Sequence, residues 1–500
     1  MKTAAFCVLT LAAAGIASAQ TPEAVQIRVG SKLFTESVIL GEIVVHLARQ
    51  QGAVVEHRDQ LGGTQVLWKA LISGELDVYP DYTGTIAEET LAGLDLPDDD
   101  AIREALAEYS VLMAGPLGFN NTYAIGMQKD VAAELGITKI SDLRKHPDLA
   151  FGFGTEFMER EDGWPNLSAA YKLTQANVRG MEHELTYRGL DSGAIQAMDL
   201  YSTDAEIGYY DLLVLDDDLT FFPKYNAVYL YRADLAERAP GLVQDLHRLE
   251  GRIPESTMIA MNGQSKLEQV PDTVVAARFV QETFGIETSV KTETRFDRLL
   301  KHTREHLFLV SLSVIAAVCL AVPLGVLAAK SRLAGQAILS TVGILQTIPS
   351  LALFVVLIPL LGIGPAPAIC ALFLYSLLPI VRNTYTGLHD IPPQIHESAE
   401  ALGLPAAARV RLIELPLASR SILAGIKTAV VINVGTATLG GFIGAGGYGQ
   451  PIFKGIRLDR TDFLLEGAIP AAVMALLAQG VFELAERRLV PRGLRLKPSA

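Results

Sequence analysis

Five long apolar stretches in the last two fifths of the chain constrain its fold more than any other feature. They lie at 306–329, 336–361, 367–388, 421–445 and 463–484. Each is close to the roughly 20 residues that a helix needs to cross the hydrocarbon layer of a membrane. A helix of a soluble protein keeps a polar face for water, and these stretches offer none. The sequence therefore predicts a domain of several membrane-spanning helices over 306–486, embedded in a lipid bilayer.

The rest of the chain has the opposite charge. Residues 1–295 carry 24 Lys and Arg against 44 Asp and Glu, whereas residues 296–500 carry 18 against 11. An acidic front half excludes nucleic acid as its partner. The three cysteines are too few for a disulfide scaffold or a cysteine-based metal site, and the nine histidines are scattered. We therefore expect no metal site and no cofactor.

The N-terminus has the pattern of a secretory signal peptide. Met1-Lys2 is followed by a short apolar stretch over 4–16 and by the small residues Ala17-Ser18-Ala19. Cleavage after Ala19 is expected, and an uncleaved anchor is the alternative. Residues 20–290 are then predicted to lie outside the cytoplasm.

Residues 20–290 alternate short apolar strands with amphipathic helices, one of them predicted over 35–50. This is the βαβ pattern of a mostly parallel sheet covered by helices. A second block of the same kind runs from about 121 to 225. Two α/β lobes joined by crossing segments enclose a cleft, and small ligands bind in such clefts.

Several motifs in this half occur in series and resemble one family. They are Gly30-Ser31-Lys32-Leu33-Phe34-Thr35-Glu36, Gly62-Gly63-Thr64, the run from Gly74 to Thr85, Tyr201-Ser202-Thr203-Asp204 and Phe221-Phe222-Pro223-Lys224-Tyr225-Asn226. They resemble the substrate-binding proteins of ABC importers for glycine betaine, choline and carnitine, which are quaternary amines used as osmoprotectants. The resemblance implies a two-lobed periplasmic substrate-binding protein fold of type II.

The resemblance also implies a ligand site. A box of tyrosines would surround a quaternary ammonium group, with cationic and polar side chains for a carboxylate and an amide beside the box. The box residues are Tyr82, Tyr123, Tyr201 and Tyr225; the carboxylate partners are Lys32, Thr85 and Arg160; the amide is Asn121. A trimethylated nitrogen has no N–H to donate, so ring faces have to hold it, each contributing about 0.5 to 2 kcal/mol.

Arg160 distinguishes between ligands. A guanidinium makes a forked contact with a carboxylate, but it stays unpaired opposite the hydroxyl of choline. Zwitterions such as glycine betaine are therefore favoured over choline. Some relatives place an acidic residue where this chain has Asn121. The neutral amide attracts a bare cation less, which also favours a zwitterion over choline. Choline, carnitine and ergothioneine remain alternative cargoes.

A second resemblance lies in the loop 391–416. Glu397-Ser398-Ala399, Gly403 and Ile413-Glu414-Leu415-Pro416 resemble the permease signature of ABC importers, with Ser398 in place of an alanine. A helix over 393–402, interrupted at Gly403 and restarted, would form a knob for a partner. The resemblance implies an all-α permease of the MetI-like type that contacts an ATPase through Glu397, Ala399, Gly403, Ile413 and Pro416.

An odd number of spans places the tail 487–500 in the cytoplasm. Most positive charges agree with this orientation, but the clusters at 295–304 and 454–460 do not. The first of these falls in a stretch predicted as a linker, 291–305. Glu466 enters the last span, where a carboxylate is costly against lipid, so it is expected to face protein or water.

The chain has no Gly-x-x-x-x-Gly-Lys-Ser/Thr phosphate loop and no persuasive catalytic constellation. We therefore expect a non-enzymatic subunit whose energy comes from a separate ATPase. Five spans form half of a pathway, so a homodimer is expected. A ligand-gated channel or a membrane sensor is the alternative class, and neither needs the 397–416 signature.

Overall fold

A computed structural model describes residues 24–288, 290, 294–458 and 460–490. The predicted signal peptide, the first residues of the predicted linker and the last ten residues lie outside the described residues. The described part forms two α/β lobes followed by a bundle of long apolar helices.

Ten strands form two five-stranded sheets, one in each lobe. The strands are β1 Gln26–Lys32, β2 Val54–Leu61, β3 Val78–Tyr82, β4 Val111–Met113, β5 Tyr123–Gln128, β6 Phe151–Gly154, β7 Val178–Met181, β8 Ala197–Tyr201, β9 Leu212–Val214 and β10 Ala227–Arg232. The strand order is β2-β1-β3-β10-β4 in the first lobe and β7-β6-β8-β5-β9 in the second. The two-lobed α/β prediction is thus confirmed.

Each sheet is mixed, which corrects the prediction of mostly parallel sheets. β1 is parallel to both neighbours and so is β6, but β10 and β5 are antiparallel to theirs. The reason is the path of the chain: β5 and β10 each enter a lobe directly after a crossing segment. An antiparallel strand needs no helical crossover to reach its place.

Thirteen helices cover the two sheets in the described residues. They are α1 Thr35–Gln50, α2 Thr64–Ile72, α3 Thr83–Thr85, α4 Asp99–Ala107, α5 Lys129–Leu135, α6 Thr155–Glu159, α7 Trp164–Tyr171, α8 His183–Asp191, α9 Glu206–Tyr209, α10 Leu235–Arg238, α11 Pro240–Arg248, α12 Glu255–Lys266 and α13 Asp272–Phe284. α1 has the predicted bounds and is buried along most of its length. The N-terminus of α1 lies at the junction of the two lobes, so a displacement of α1 changes the shape of the cleft.

The second half of the chain is helical. Its helices are α14 Arg295–Lys330, α15 Arg332–Thr347, α16 Ser350–Leu361, α17 Pro365–His389, α18 Pro393–Ala401, α19 Ala406–Arg409, α20 Leu415–Thr436, α21 Gly449–Arg457 and α22 Thr461–Leu489. Four helical segments in the described residues are long and apolar enough to cross a membrane. α14 already begins at Arg295, so most of the stretch predicted as a linker belongs to the first long helix.

The second predicted span is bent. α15 and α16 meet at an angle of 97° and together count as one span, which brings the total to as many as five. The break lies at Ile348, which is extended with ψ of 126°, followed by Pro349. A residue before proline is disfavoured in the helical conformation, which explains why the helix stops here.

The first lobe lies directly on the helical bundle. The Gly62 N–H donates to the Phe442 carbonyl oxygen at 3.0 Å, and a Cβ on Gly62 would overlap the Phe442 ring. Leu61 and Trp68 belong to the same buried apolar cluster as Phe354 of the bundle. The two halves therefore share one continuous core in this arrangement.

Candidate functional site

The four predicted tyrosines gather where the two lobes meet. Tyr82 ends β3, Tyr201 ends β8 opposite Tyr123 of β5, and Tyr225 precedes β10. The ring centroid of Tyr123 lies 5.0 Å from that of Tyr201 and 5.7 Å from that of Tyr225. The rings come together because the strand ends of both sheets point into the cleft.

Three phenylalanines that the sequence analysis did not select complete the aromatic cluster. Phe34 connects Tyr82 to Tyr201, with centroid distances of 6.1 and 5.7 Å. Phe157 and Phe222 lie 5.1 and 6.3 Å from the Tyr123 ring. Phe34 and Phe222 belong to motifs that the sequence analysis quoted, so their position in those motifs was the available signal.

A buried carboxylate, Glu36, lies at the centre of the cleft and was also missed. It accepts hydrogen bonds from the Tyr82 hydroxyl at 2.5 Å, Thr203 Oγ1 at 2.6 Å, Asn121 Nδ2 at 2.8 Å and Asn262 Nδ2 at 3.1 Å. Burial raises the pKa of Glu36, and the hydrogen bonds oppose that rise. Because Tyr82 and Thr203 belong to different lobes, Glu36 joins the lobes at their contact.

Arg160 lies against the tyrosine box but is already paired. Its Cζ is 5.4 Å from the Tyr123 ring centroid. Nε and Nη2 bind Asp162 at 2.6 and 2.5 Å, and Nη1 binds Glu89 of the other lobe at 2.7 Å. Tyr225 donates its hydroxyl to the same Asp162. The charge is thus balanced without a ligand, which corrects the expectation that Arg160 stays unpaired opposite choline. Three of the five guanidinium N–H groups are engaged, which leaves two for a carboxylate.

The other two predicted carboxylate partners, Lys32 and Thr85, lie near Tyr82. Lys32 is buried and its Nζ lies 2.8 Å from Asp81 Oδ1 and 2.9 Å from Thr64 Oγ1. That ammonium is 6.0 Å from the centroid of the Tyr82 ring. Thr85 is buried in the short helix that follows Tyr82. The structure thus brings Lys32 and Thr85 close to the box, with the charge of Lys32 balanced by Asp81.

A histidine lies behind the box. The His183 ring is 4.6 Å from the Tyr201 ring, and its nitrogens lie 3.3 Å from Asp199 Oδ2 and 3.3 Å from Asp204 Oδ2. Burial lowers the pKa of His183, but hydrogen bonds to the two carboxylates outweigh burial and hold it well above the usual value. The two carboxylates therefore favour the protonated imidazole, whose ring packs against Tyr201.

The cleft is closed in this arrangement. An open cavity of about 290 Å³ lies beside Arg160, between Glu89 and Asp162, but the cavity among Phe34, Glu36 and Tyr201 has a volume of only about 10 Å³. That is room for about one water molecule, so a solute enters only when the lobes separate. Among the described residues, no group of three or more His, Cys, Asp or Glu is arranged to hold a metal ion.

The loop 391–416 forms the predicted knob. α18 ends at Ala401, Gly403 has a φ of +72° that suits glycine, and α19 restarts the helix. Ala399 is buried, whereas Glu397 and Gly403 are exposed and Ile413 is partly exposed. Pro416 follows the π-helical turn 410–414, which joins α19 to α20 without a break and accommodates the missing N–H inside a continuous helix.

One ion pair ties this loop to the first long helix. Glu414 is buried and accepts two bonds from Lys330 Nζ, at 2.6 and 2.7 Å. His396 Nδ1 lies 3.4 Å from the same carboxylate. The knob is therefore attached to the end of α14 as well as to α17 and α20, which precede and follow it.

Comparison with known families decides the class of the chain. A family model described as the substrate-binding domain of the ABC-type glycine betaine transport system matches residues 25–282. The chain belongs to this family. A second model, described as the inner membrane component of binding-protein-dependent transport systems, matches residues 321–492. The predicted fusion of a binding domain to a MetI-like, multi-pass permease is thus confirmed.

Two relatives and one solved structure are similar to parts of this chain. The choline transport system permease protein OpuBB of Bacillus subtilis (strain 168) is 45% identical over 206 residues, which are 41% of this chain and 95% of the relative. The ergothioneine transport permease/ergothioneine binding protein EgtU of Helicobacter pylori (strain G27) is 34% identical over 51% of this chain and 47% of its own length. A crystal structure of a glycine betaine/carnitine/choline ABC transporter is 28% identical, with a TM-score of 0.45, over 51% of this chain and 98% of that one.

Proposed function

We propose that this chain captures a quaternary ammonium zwitterion, glycine betaine first, on the outer side of the membrane and conducts it inward as an ABC importer. The observation that carries the proposal is the closed cage of Tyr82, Tyr123, Tyr201 and Tyr225, contributed by both lobes and the segment that joins them. A cage built from both lobes couples binding to closure, because the ligand contacts are complete only when the lobes meet.

The chemistry of the cage supports a methylated cation. Its rings present π faces, and a trimethylammonium group loses little when it leaves water because it makes no N–H hydrogen bonds there. Each ring face contributes about 0.5 to 2 kcal/mol once water is excluded. The Glu36 carboxyl group accepts a hydrogen bond from the Tyr82 hydroxyl at 2.5 Å and, when ionised, would attract a cation in the cage.

The carboxylate end of the cargo would meet Arg160. Its two remaining N–H groups can form a forked contact, which choline cannot match. The Glu89 contact across the cleft supports the same assignment, because a substrate carboxylate that replaced Glu89 would exchange one charged partner for another. Lys32, Thr85 and Asn121 remain further candidates for contacts with the cargo.

A larger cargo is the second candidate. EgtU, which is named as both permease and ergothioneine binding protein, is similar to half of this chain. Phe34, Phe157 and Phe222 extend the aromatic surface beyond the four tyrosines. This surface suits a methylated amine that carries an aromatic ring.

The permease half of the chain would act together with partner subunits. The loop 391–416 would lie in the cytoplasm and contact a separate ATPase through Glu397, Ala399, Gly403, Ile413 and Pro416. ATP hydrolysis would belong to that subunit, and two copies of this chain would complete one pathway. The likeness of residues 321–492 to importer permeases supports this arrangement.

Titration calorimetry on the purified full chain tests the cargo. Glycine betaine, proline betaine, choline and ergothioneine are the ligands, and glycine is the matched control because it has the same carboxylate without methyl groups. We expect glycine betaine to bind more tightly than choline and glycine to give no heat. Failure of every methylated amine to bind would contradict the proposed cargo class.

Deletion of residues 397–416 separates an importer from a channel or a sensor. An importer without its coupling loop loses solute uptake in cells, while the purified chain still binds solute. Uptake that persists after the deletion would support a channel instead.

A further inference from the structure

An arginine of the permease is buried where the permease packs against the binding domain. Arg457 ends α21 and only 2% of its surface is exposed. Its Nη2 lies 2.7 Å from Asp272 Oδ2, and its Nη1 lies 3.3 Å from Thr35 Oγ1. Among the described residues, both of these hydrogen-bond partners belong to the first lobe. The guanidinium is therefore held by the binding domain although its backbone belongs to the permease.

Thr35 is the first residue of α1 and stands next to Glu36 in the chain. Glu36 contacts the second lobe through Thr203 Oγ1 at 2.6 Å. When the lobes separate, this contact breaks and the N-terminus of α1 loses one of its restraints. Arg457 thus contacts Thr35, and the next residue, Glu36, joins the two lobes.

A second path links the same two groups. Asp272 also accepts a hydrogen bond from Ser265 Oγ at 2.5 Å. Ser265 lies on α12, and Asn262, one turn earlier on that helix, donates to Glu36 at 3.1 Å. Arg457 is therefore connected to Glu36 both through Thr35 and through the helix α12.

The ion pair between Arg457 and Asp272 depends on how closely the permease packs against the binding domain. Burial alone raises the pKa of Asp272, but the attraction and hydrogen bond of Arg457 lower it below the usual value. A buried charge that loses its partner is strongly destabilised, whereas an exposed charge is not. A small displacement of α1 or α13 relative to α21 would therefore have a large energetic effect at this point.

On the permease side, α21 packs against α22 and against the turn 437–443 that follows α20. α20 begins at Leu415, directly after the loop that would meet the ATPase. A shift of α21 can therefore reach the loop along a single helix.

We propose that Arg457 is the contact through which the permease detects closure of the binding cleft. Closing the lobes forms the Glu36 to Thr203 bond, fixes the start of α1 and aligns Thr35 and Asp272 for Arg457. The inference rests on the proposed function, because it assumes that closure of the cleft is the signal for transport. Arg457 is a positioning residue that does not itself touch the cargo.

The first test separates binding from transport in the full chain. Arg457→Met is expected to leave the Kd for glycine betaine within about threefold and to lower the rate of glycine betaine uptake by cells at least about tenfold, as expected for allosteric coupling. Arg460→Met is the matched control, since Arg460 pairs with Asp462 within the permease. Unchanged uptake, or an equal loss of binding and uptake, would overturn the proposal.

Two further variants guard against a folding defect. The double variant Arg457→Asp with Asp272→Arg restores a charge pair and is expected to recover at least part of the uptake. Thr35→Val removes only the weaker contact and is expected to lower uptake less than Arg457→Met does. If the charge exchange recovers folding but not uptake, and Thr35→Val has no effect, the coupling role is wrong.

A third test needs no cargo and so distinguishes failure of this inference from failure of the proposed function. Thr203→Val breaks the bond between the lobes, and hydrogen exchange of the full chain then reports on α21 and the loop 391–416. Exchange in these segments is expected to rise at least about fivefold with Arg457 present and to change little in the Arg457→Met background, the mark of coupled sites. Equal changes in both backgrounds would overturn the inference even if glycine betaine binds.

Discussion

Arg160 of the second lobe and Glu89 of the first lobe form an ion pair across the cleft, with 2.7 Å between Nη1 and Oε2. The pair lies at the edge of the tyrosine cage, and the same guanidinium also donates two hydrogen bonds to Asp162. Closure of the lobes and the proposed carboxylate site therefore share one side chain.

Replacing Arg160 by methionine tests its preference for zwitterions. The variant is expected to lose at least about 1.5 kcal/mol of glycine betaine binding, because a charge-assisted contact disappears. Choline is expected to bind as well as before or better, since Asp162 and Glu89 are left with negative charge. Calorimetry with both ligands measures the change in preference.

Arg179→Met is the control for that experiment, because Arg179 lies exposed on β7 of the same lobe. An equal loss of affinity for the two ligands would mean that Arg160 acts only by holding the lobes together.

Tyr201 tests the aromatic cage. Tyr201→Ala removes a ring face and is expected to cost at least about 1.5 kcal/mol of glycine betaine binding. Tyr201→Phe keeps the face and is expected to cost less than about 0.5 kcal/mol, because the Tyr201 hydroxyl makes only a 3.4 Å contact with the Tyr123 hydroxyl. Calorimetry on the full chain measures both.

Tyr109→Ala serves as the matched control, since Tyr109 packs on Trp68 away from the cleft. Similar losses for Tyr201→Ala and Tyr109→Ala would indicate a general loss of stability and contradict the cage.

The family motifs made the tyrosine cage predictable, but not the charges around it. Each tyrosine lies at or near the end of a recognisable strand, so their meeting follows from the two-lobed fold; they are Tyr82, Tyr123, Tyr201 and Tyr225. Glu36 stood in a quoted motif, yet its four hydrogen-bond donors come from distant parts of the chain. A sequence shows the carboxylate but not the donors that bury it.

Two arginines of the charge clusters that disagreed with the predicted membrane orientation are paired within the protein. Arg298 of α14 binds Glu466 of α22 at 2.8 and 3.0 Å, 168 positions away, which also confirms that Glu466 faces protein. Arg457 binds Asp272, 185 positions away. Positive charges that are paired within the protein need not follow the orientation rule, but partners so far apart cannot be inferred from a local pattern.

Glu36→Gln tests the carboxylate at the centre of the cleft. All four of its neighbours donate hydrogen bonds, and each carboxylate oxygen faces one hydroxyl and one asparagine NH₂. A hydroxyl can turn to accept from the glutamine NH₂, but an asparagine NH₂ cannot, so one donor is left unpaired. We expect a loss of about tenfold or more in glycine betaine affinity, together with a lower unfolding temperature. Calorimetry and a thermal scan measure the two effects.

Glu237→Gln is the control for Glu36, because Glu237 is exposed on the surface of the first lobe. A Glu36→Gln variant with the affinity of the parent chain would show that the carboxylate takes no part in closing the cleft.

His183 gives the second lobe a pH dependence. Its pKa is raised in the folded state by Asp199 and Asp204 against the effect of burial, with Tyr187 and Lys266 as further neighbours. A histidine with a raised folded pKa stabilises fully below its unfolded pKa of about 6.5, and this stabilisation is lost as pH rises through the folded pKa.

The unfolding temperature of the parent chain should therefore exceed that of His183→Gln at pH 6, and the difference should shrink as the pH is raised. Trp164 packs on Phe151 and Phe153 of the same lobe, so its fluorescence in a Trp68→Phe background reports unfolding there. A difference that stays constant from pH 6 to 10 would contradict the assignment.

The ion pair between Glu414 and Lys330 predicts how the loop 391–416 is held. Glu414→Gln keeps the shape of a buried side chain but removes the charge that attracts Lys330, so α14 and the loop lose their tether. We expect glycine betaine binding to stay unchanged and uptake to fall several-fold, because a loosely held loop transmits less motion to a partner. Glu400→Gln is the matched control, since Glu400 pairs with Arg409 within the loop itself. If the control lowers uptake as much as Glu414→Gln does, the internal rigidity of the loop matters more than its attachment to the first span.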